Sequence, residues 1–489
     1  MSPEALQIGI FVTITGLIGF FTWLKCRAPD TVRSDDPNKE QFLAGGGLSW
    51  IFVAGSITLT NLSTDQLVGM NGNQMALLAW WELAAVAGLL VLALVFLPVY
   101  YKYQCTTTTE LLEKRYGDKN IRATIAVLFL LGNVFIYLPI MLYTGSLFMQ
   151  SMFGIEAPII VISLCFAVIG AAYAILGGLR AVAVSDTYSG VGLLVMAVAV
   201  VLLSLQAINY DFSGIPAERL TMIGDNDSPI PWHTLLTGMI FIQIFYWSTN
   251  QTITQRAMAS PTLKEAQKGV FAAAGIRLLI VPAIVVIPGI VSYKLYGDIG
   301  DAAYGRIVGE VLPTWMSGAF AAFMAAAVLT SFNSVLNSST TLYVVDLHEA
   351  YVNKTPNVRR LSGIITSMFV VSALILVPVY SGADSIINLV QQLNGLLSMP
   401  ILSAFIVSLL FRNVAPMSAI LGVIFGTSFY GALSFGFVEL PVVSSWHYIH
   451  QMLLTLVLSI SFALAMNLLL FRKVAQYTGF KAWLSDDPA

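Results

Sequence analysis

The chain has 489 residues, 57% of them hydrophobic and only 10% charged, with a mean hydropathy of +0.80. A soluble domain carries about 25% charged residues, so a soluble enzyme is excluded and a polytopic membrane protein is expected. A net charge of −2 without a basic cluster gives no nucleic-acid partner, and three scattered cysteines (Cys26, Cys105, Cys165) give no disulfide framework.

In chain order, thirteen hydrophobic spans are predicted, each near the ~20 residues a bilayer requires. They run over 5–25, 47–75, 77–101, 120–152, 157–176, 179–208, 232–250, 267–296, 308–350, 361–380, 384–411, 415–437 and 447–471. The first lacks a basic leader and a small-residue cleavage site, so it reads as a retained helix and not a signal peptide. Twenty of the 24 lysines and arginines fall in one alternate set of loops and three in the other, with Arg277 left inside a span. By the positive-inside rule the N-terminus lies outside and the C-terminus in the cytoplasm of a cytoplasmic (inner) membrane. The stretch Thr106–Glu110 followed by L-L-E-K-R-Y reads as an N-capped helix at the cytoplasmic surface. No appended soluble domain is expected, and the long external stretch 209–231 is polar and turn-rich.

The second span is anomalous. Within T-L-T-N-L-S-T-D-Q-L-V-G-M-N-G-N (58–73) it sets Asn61, Ser63, Thr64, Asp65 and Gln66 where hydrocarbon should be. Lipid offers such groups no hydrogen bonds, so the helix is expected to unwind and face a cavity. Five spans later F-I-Q-I-F-Y-W-S-T-N-Q (241–251) is again polar and aromatic. Secondary transporters place broken helices at matching positions of two inverted repeats. A five-plus-five repeat of spans 2–6 and 7–11 would set these stretches across one cavity. The division expected is an accessory helix and loop (1–45), a first repeat (46–209), an external loop with the second repeat (210–411), and two further helices with a short tail (412–489).

Other costly residues cluster around that cavity. A mid-bilayer arginine costs roughly 2.5–3.5 kcal/mol or more, so Arg277 needs a partner, with Glu82 and Asp65 the candidates. Glu82 suits either a helix start or a site, and Asp186 either a cap or a cation step. Thr330, Ser331, Asn333 and Ser334 set neutral oxygens around one turn of the ninth span, as a hard monovalent cation requires. Tyr246 and Trp247 lie deep enough to face a sugar ring, and Gln391, Gln392 and Asn394 add amides that both donate and accept. The histidines give no enzyme: His447 and His450 stand three apart with no third ligand nearby, and His233 and His348 are isolated.

The chain resembles the solute:sodium symporter family, in its sodium/glucose-cotransporter-like sugar branch. The resemblance covers almost the whole length. It is carried by N-L-S-T-D-Q-L-V-G-M (61–70), L-L-E-K-R-Y-G (111–117), Y-A-I-L-G-G-L-R-A-V-A-V-S-D (173–186), F-Y-W-S-T-N-Q-T-I-T-Q-R (245–256) and L-N-S-S-T-T-L (336–342). It implies an all-α inverted-repeat fold and Na+-driven symport of a sugar, with no catalysis. The sugar site it implies comprises Gln66, Glu82, Gln243, Asn250, Arg277 and Gln391, with Tyr246 as a gate and Trp247 beside it. The sodium site would use carbonyls of Leu59, Leu62 and Ala327 and hydroxyls of Thr330 and Ser331. A second sodium site would fall on Asp186, Thr330, Asn333 and Ser334. Three residues depart from the pattern: Arg277 stands for a lysine, Gln243 for an asparagine, and Asn333 for a small or hydroxyl residue. An arginine fork prefers carboxylate, which leaves an acidic-sugar symporter as one alternative. A membrane subunit of an ion-translocating enzyme complex is another.

Overall fold

The computed structural model describes residues 3–28, 33–382 and 386–482. Nearly all of it is helix. Ten helices among the described residues are long and apolar enough to cross a bilayer, or eleven if Pro37–Gly46, bent by 101° against Trp50–Asn61, is counted with it. This does not confirm a count of thirteen, and the reason is physical. The predicted spans that miss the length test are the second, fifth and seventh; two of these are broken into half-helices, and the fifth is a shorter apolar helix, Ile159–Ile175.

The second span divides into α1 (Trp50–Asn61) and α2 (Thr64–Gly72). The Leu62 amide closes the last turn on the Thr58 carbonyl at 3.0 Å, and the Ser63 amide then folds back to the Asn61 carbonyl at 2.8 Å. With Leu62 at φ −78°, ψ 67°, this is an inverse γ-turn between two half-helices. The third span opens with α3 (Trp80–Val91). Spans five and six form one continuous element, α4 (Ile159–Ala207), kinked at Gly178, whose φ of +55° is open to glycine at little cost. The seventh span divides into α5 (Gly238–Ile244), a π-helical turn over Phe245–Thr249, and α6 (Gln251–Met258). Then follow α7 (Leu263–Leu279), α8 (Thr314–Thr341), α9 (Ile386–Leu410) and, as the last span, α10 (Tyr448–Leu469).

The core is built where the broken spans meet their neighbours. The half-helix α1 packs on α4 and α7, α3 packs on α5 and α7, and α4 packs along α8. At Gly88 the third span lies against the Gln243 carbonyl so closely that a Cβ would clash with the backbone. The α8 helix is buried almost throughout, whereas the first span (Pro3–Arg27) is largely exposed and belongs to the lipid-facing rim. The helix Thr108–Tyr116 carries the expected cap, a Thr107–Glu110 capping box. A two-residue antiparallel ladder, Phe411 against Tyr477 and Arg412 against Gln476, ties the C-terminal segment to the end of α9.

One loop cation is misplaced by the sequence reading. Arg256, counted with the cytoplasmic loops, lies fully buried within α6. Its Nε donates to Ser56 Oγ at 2.8 Å and stands 3.9 Å from the Asp186 carboxylate. A buried guanidinium persists there because a carboxylate, a hydroxyl and the Thr252 carbonyl surround it.

Candidate functional site

A chamber lies between the two broken spans. It contains about 610 Å³ of open space, of which the centre of a water molecule can occupy about 70 Å³, so the space is narrow. Its wall includes Gln66, Glu82, Gln243, Tyr246, Trp247 and Gln391 from the predicted set, joined by Asn61, Met70, Trp81, Tyr137 and Asn394. Two predicted residues stand outside that wall. Asn250 follows the π-turn in extended conformation, and its side-chain oxygen caps α6 by accepting the Thr252 amide at 2.9 Å. Arg277 is fully buried behind the chamber.

The chamber's electrostatics are set by how Arg277 is held. Its Nη1 donates to the Glu82 carboxylate, its Nη2 reaches the Thr58 carbonyl at 3.3 Å, and its guanidinium lies 4.3 Å from the centre of the Trp247 ring. Of the two candidate partners, Glu82 is therefore the one in contact; the Asp65 side chain lies outside the described residues. Glu82 also accepts the side-chain amide of Gln66. That bond fixes the amide, since only NH2 can face a carboxylate, and leaves Gln66 Oε1 buried without a partner; Asn61 Oδ1 is a second such oxygen. Opposite them Trp247 Nε1 donates to Gln243 Oε1 at 2.9 Å, and Gln243 Nε2 to the Trp81 carbonyl at 3.1 Å. Asn61 donates to the Tyr246 hydroxyl at 3.0 Å, which ties the first broken span to the aromatic pair of the second. On the third side Tyr137 donates to Asn394, whose amide donates to Gln391 Oε1 at 3.3 Å. Gln392 instead turns away, to the Ser434 carbonyl.

The oxygens proposed for sodium lie at the end of α1. Ser331 donates to the Leu59 carbonyl at 3.5 Å and Thr330 to the Ala327 carbonyl at 3.2 Å; Leu62 is the turn residue between the half-helices, and all five residues are buried. Neutral oxygens of this kind, freed where a helix unwinds, suit a small hard cation. Asp186 accepts from Ser56, one layer further along α1. Ser334 stands 3.4 Å from the Thr60 hydroxyl. Asp186 also lies within hydrogen-bonding reach of the Thr330 and Thr60 hydroxyls, so Asp186, Thr330 and Ser334 of the second predicted set meet at one place, while Asn333 points elsewhere, its oxygen against Gly170 of α4.

Half-helices that meet within two broken spans, a polar chamber between them and a carbonyl cluster alongside make up the architecture of an alternating-access symporter. A family model described as the sodium:solute symporter family matches residues 41–426, and the chain belongs to that family. It is 34% identical to the uncharacterized symporter YidK of Escherichia coli K12 over 85% of this chain and 76% of the relative. It is 28% identical to a sodium/glucose cotransporter of Vibrio parahaemolyticus (93% and 88% covered) and 29% identical to the mouse sodium/myo-inositol cotransporter 2 (81% and 66% covered). In structure it is similar to a Na+-coupled sialic acid symporter in a substrate-bound outward-open state, with a TM-score of 0.78 at 16% identity over 98% and 99% of the two chains. A closed form of the nucleobase-cation-symport-1 transporter Mhp1 gives a TM-score of 0.58 at 14% identity over 91% and 95%. These neighbours establish the inverted-repeat membrane fold. The protein is thus a multi-pass membrane symporter that takes sodium and a small solute as cargo, and not an enzyme.

Proposed function

We propose that the chain imports a neutral, hydroxyl-rich solute of hexose-like kind with sodium, by alternating access across the cytoplasmic membrane. The observation that carries this reading is the Glu82–Arg277 pair: Arg277, the cation at the chamber among the described residues, is paired with Glu82 and stands behind the wall. Left without a partner are Arg277 Nε and Thr58 Oγ1 and, from two residues of the chamber wall, the amide oxygens of Gln66 and Asn61. Such acceptors favour hydroxyl donors and repel carboxylates, so the acidic-sugar alternative loses the arginine on which it rested. The names of the Vibrio and mouse relatives, which specify glucose and myo-inositol, agree in chemistry.

In this scheme Gln66, Glu82, Gln243 and Gln391 contact the solute, Asn250 and Arg277 position them, and Tyr246 with Trp247 closes the chamber. Sodium enters first from outside, bridges the end of α1 to α8 through Leu59, Leu62, Ala327, Thr330 and Ser331, and so steadies the half-helices that shape the solute site. Asp186 and Ser334 lie on its way to the cytoplasm, and Asn333 contributes only if its side chain turns. The expected repeats, 46–209 and 210–411, rock against each other, with the N-terminus outside. The test is uptake into proteoliposomes under an inward sodium gradient. Glucose, galactose or myo-inositol should enter and glucuronate should not; glucuronate uptake without neutral-solute uptake refutes the reading.

A further inference from the structure

Two histidines 217 residues apart meet at the end of the bundle that carries the stretch 209–231. His233 lies in the turn before the seventh span and His450 in the first turn of α10. His233 Nδ1 and His450 Nε2 are 2.6 Å apart, with ring centres at 4.7 Å and planes only 15° apart. Nitrogens so much closer than the centres, in nearly parallel planes, mean that the rings meet edge to edge and aim in-plane orbitals at each other.

Their outer partners decide where the ring hydrogens are. His233 Nε2 faces Asn226 Oδ1 at 3.1 Å, an acceptor, so this nitrogen carries a hydrogen. His450 Nδ1 faces the Thr237 hydroxyl at 2.8 Å. That hydroxyl has the Thr234 carbonyl at 3.1 Å as an acceptor for its own hydrogen, and with the hydrogen placed there it accepts from the ring. In that arrangement both inner nitrogens present lone pairs, which a cation between them would satisfy. An imidazole whose far N–H is anchored to an oxygen, with its near lone pair presented, has the arrangement of a metal-ligating histidine.

We propose that His233 and His450 form a two-histidine site for a borderline transition-metal dication, with Zn2+ as its natural probe. A shared proton fits the 2.6 Å gap; zinc, with Zn–N near 2.0–2.1 Å, requires the half-buried rings to part by about 1.5 Å if their lone pairs stay in line, or by under about 1 Å if the rings also tilt to the tetrahedral angle. Among the described residues no third His, Cys, Asp or Glu completes a ligand set, so water fills the remaining positions. The pair borders an open groove with about 1210 Å³ of space, which gives that water access. His447 shares the groove but offers no lone pair: its Nδ1 accepts the Ile449 amide at 3.3 Å, and its other nitrogen donates to the Pro229 carbonyl. The sequence reading set aside His447 and His450 as a metal pair and took His233 as isolated; the neighbour of His450 is His233. A metal here clamps the start of the seventh span, which carries Tyr246 and Trp247, to the last span, and slows its rocking.

The experiment is equilibrium binding of Zn2+ to the purified full chain, with Cu2+ resonance as a second probe. One saturable Zn2+ per chain is expected, weakened at least roughly tenfold in His233→Gln and in His450→Gln and unchanged in His447→Gln. Nitrogen couplings from two imidazoles on Cu2+ should appear in the wild type, a readout that does not depend on the variants folding. Absence of saturable binding (a shared proton only), equal binding by all three variants, or loss in His447→Gln overturns the proposal. Since binding is measured without transport, its failure leaves the proposed solute untouched.

Discussion

Glu82 holds two neighbours at once, the Arg277 guanidinium and the Gln66 amide, and both bonds are sealed from water. Removing one partner of a buried pair strands a charge and costs about 3–5 kcal/mol, whereas replacing both is far milder. Arg277→Met should therefore lower the unfolding temperature in detergent sharply, and Glu82→Gln added to it should restore most of the loss. A double variant no more stable than Arg277→Met contradicts the pairing. At this scale the sequence was legible in part. Arg277 stood out by its cost in hydrocarbon, and Glu82 could be named as a partner because few carboxylates lie within spans. That Glu82 lines the chamber while Arg277 stands behind it could not be read, because depth of burial is set by packing of α3 on α7. Asn250 looked like a ligand because a polar residue beside aromatics serves equally as a cap, and only the extended backbone after the π-turn decides for the cap. Tyr137 gave no signal at all: an aromatic in an apolar span is ordinary, and its contact with Asn394 joins positions 257 residues apart.

Among the elements, the break in the second span controls most, since one turn of backbone serves two sites. The Thr58 carbonyl receives Arg277 from the chamber side, and the next carbonyl, Leu59, receives Ser331 from α8. Sodium bound at Leu59 and Ser331 would hold the same turn that orients Arg277 and, through Glu82, Gln66. Ser331→Ala removes one oxygen of the proposed shell. A hydrogen-bond-strength contact to a charged group contributes about 1.5–3 kcal/mol, so the sodium concentration for half-maximal uptake should rise at least about tenfold. The solute concentration for half-maximal uptake should rise as well at low sodium and recover at high sodium. A variant with unchanged sodium dependence removes Ser331 from the site. The break itself was legible, because five polar residues within six positions, 61–66, cannot face lipid. The number of spans was less so: a length threshold recognises whole helices, and spans two and seven are halves whose unwound centres are stabilised by the chamber and not by their own apolar length.

For the whole molecule, membership of the symporter family leaves open how much charge moves with each solute, and this quantity separates the two substrate classes. Each sodium carries one positive charge inward, so the net charge moved per solute equals the number of sodium ions plus the charge of the solute. A neutral polyol makes charge and sodium counts equal; a uronate makes the charge count one smaller, whatever the sodium number. The comparison needs no assumption about the second sodium set at Asp186, Asn333 and Ser334, which is why it is stronger than voltage dependence alone. At ~100 mV and a tenfold sodium gradient one ion supplies about 2.3 + 1.4 kcal/mol, enough for roughly 500-fold accumulation of a neutral solute. A solute carrying one negative charge would lose the voltage part and reach only about tenfold with one sodium. Proteoliposomes with potassium and valinomycin setting the voltage, labelled sodium and labelled solute measured together, and the reversal potential of uptake give both counts. Equality is expected because Glu82 in the wall already balances Arg277 behind it, leaving no free cation among the described residues of the wall to offset an anion. A charge count one below the sodium count would mean that Arg277 leaves Glu82 for the solute, and the neutral reading would fall.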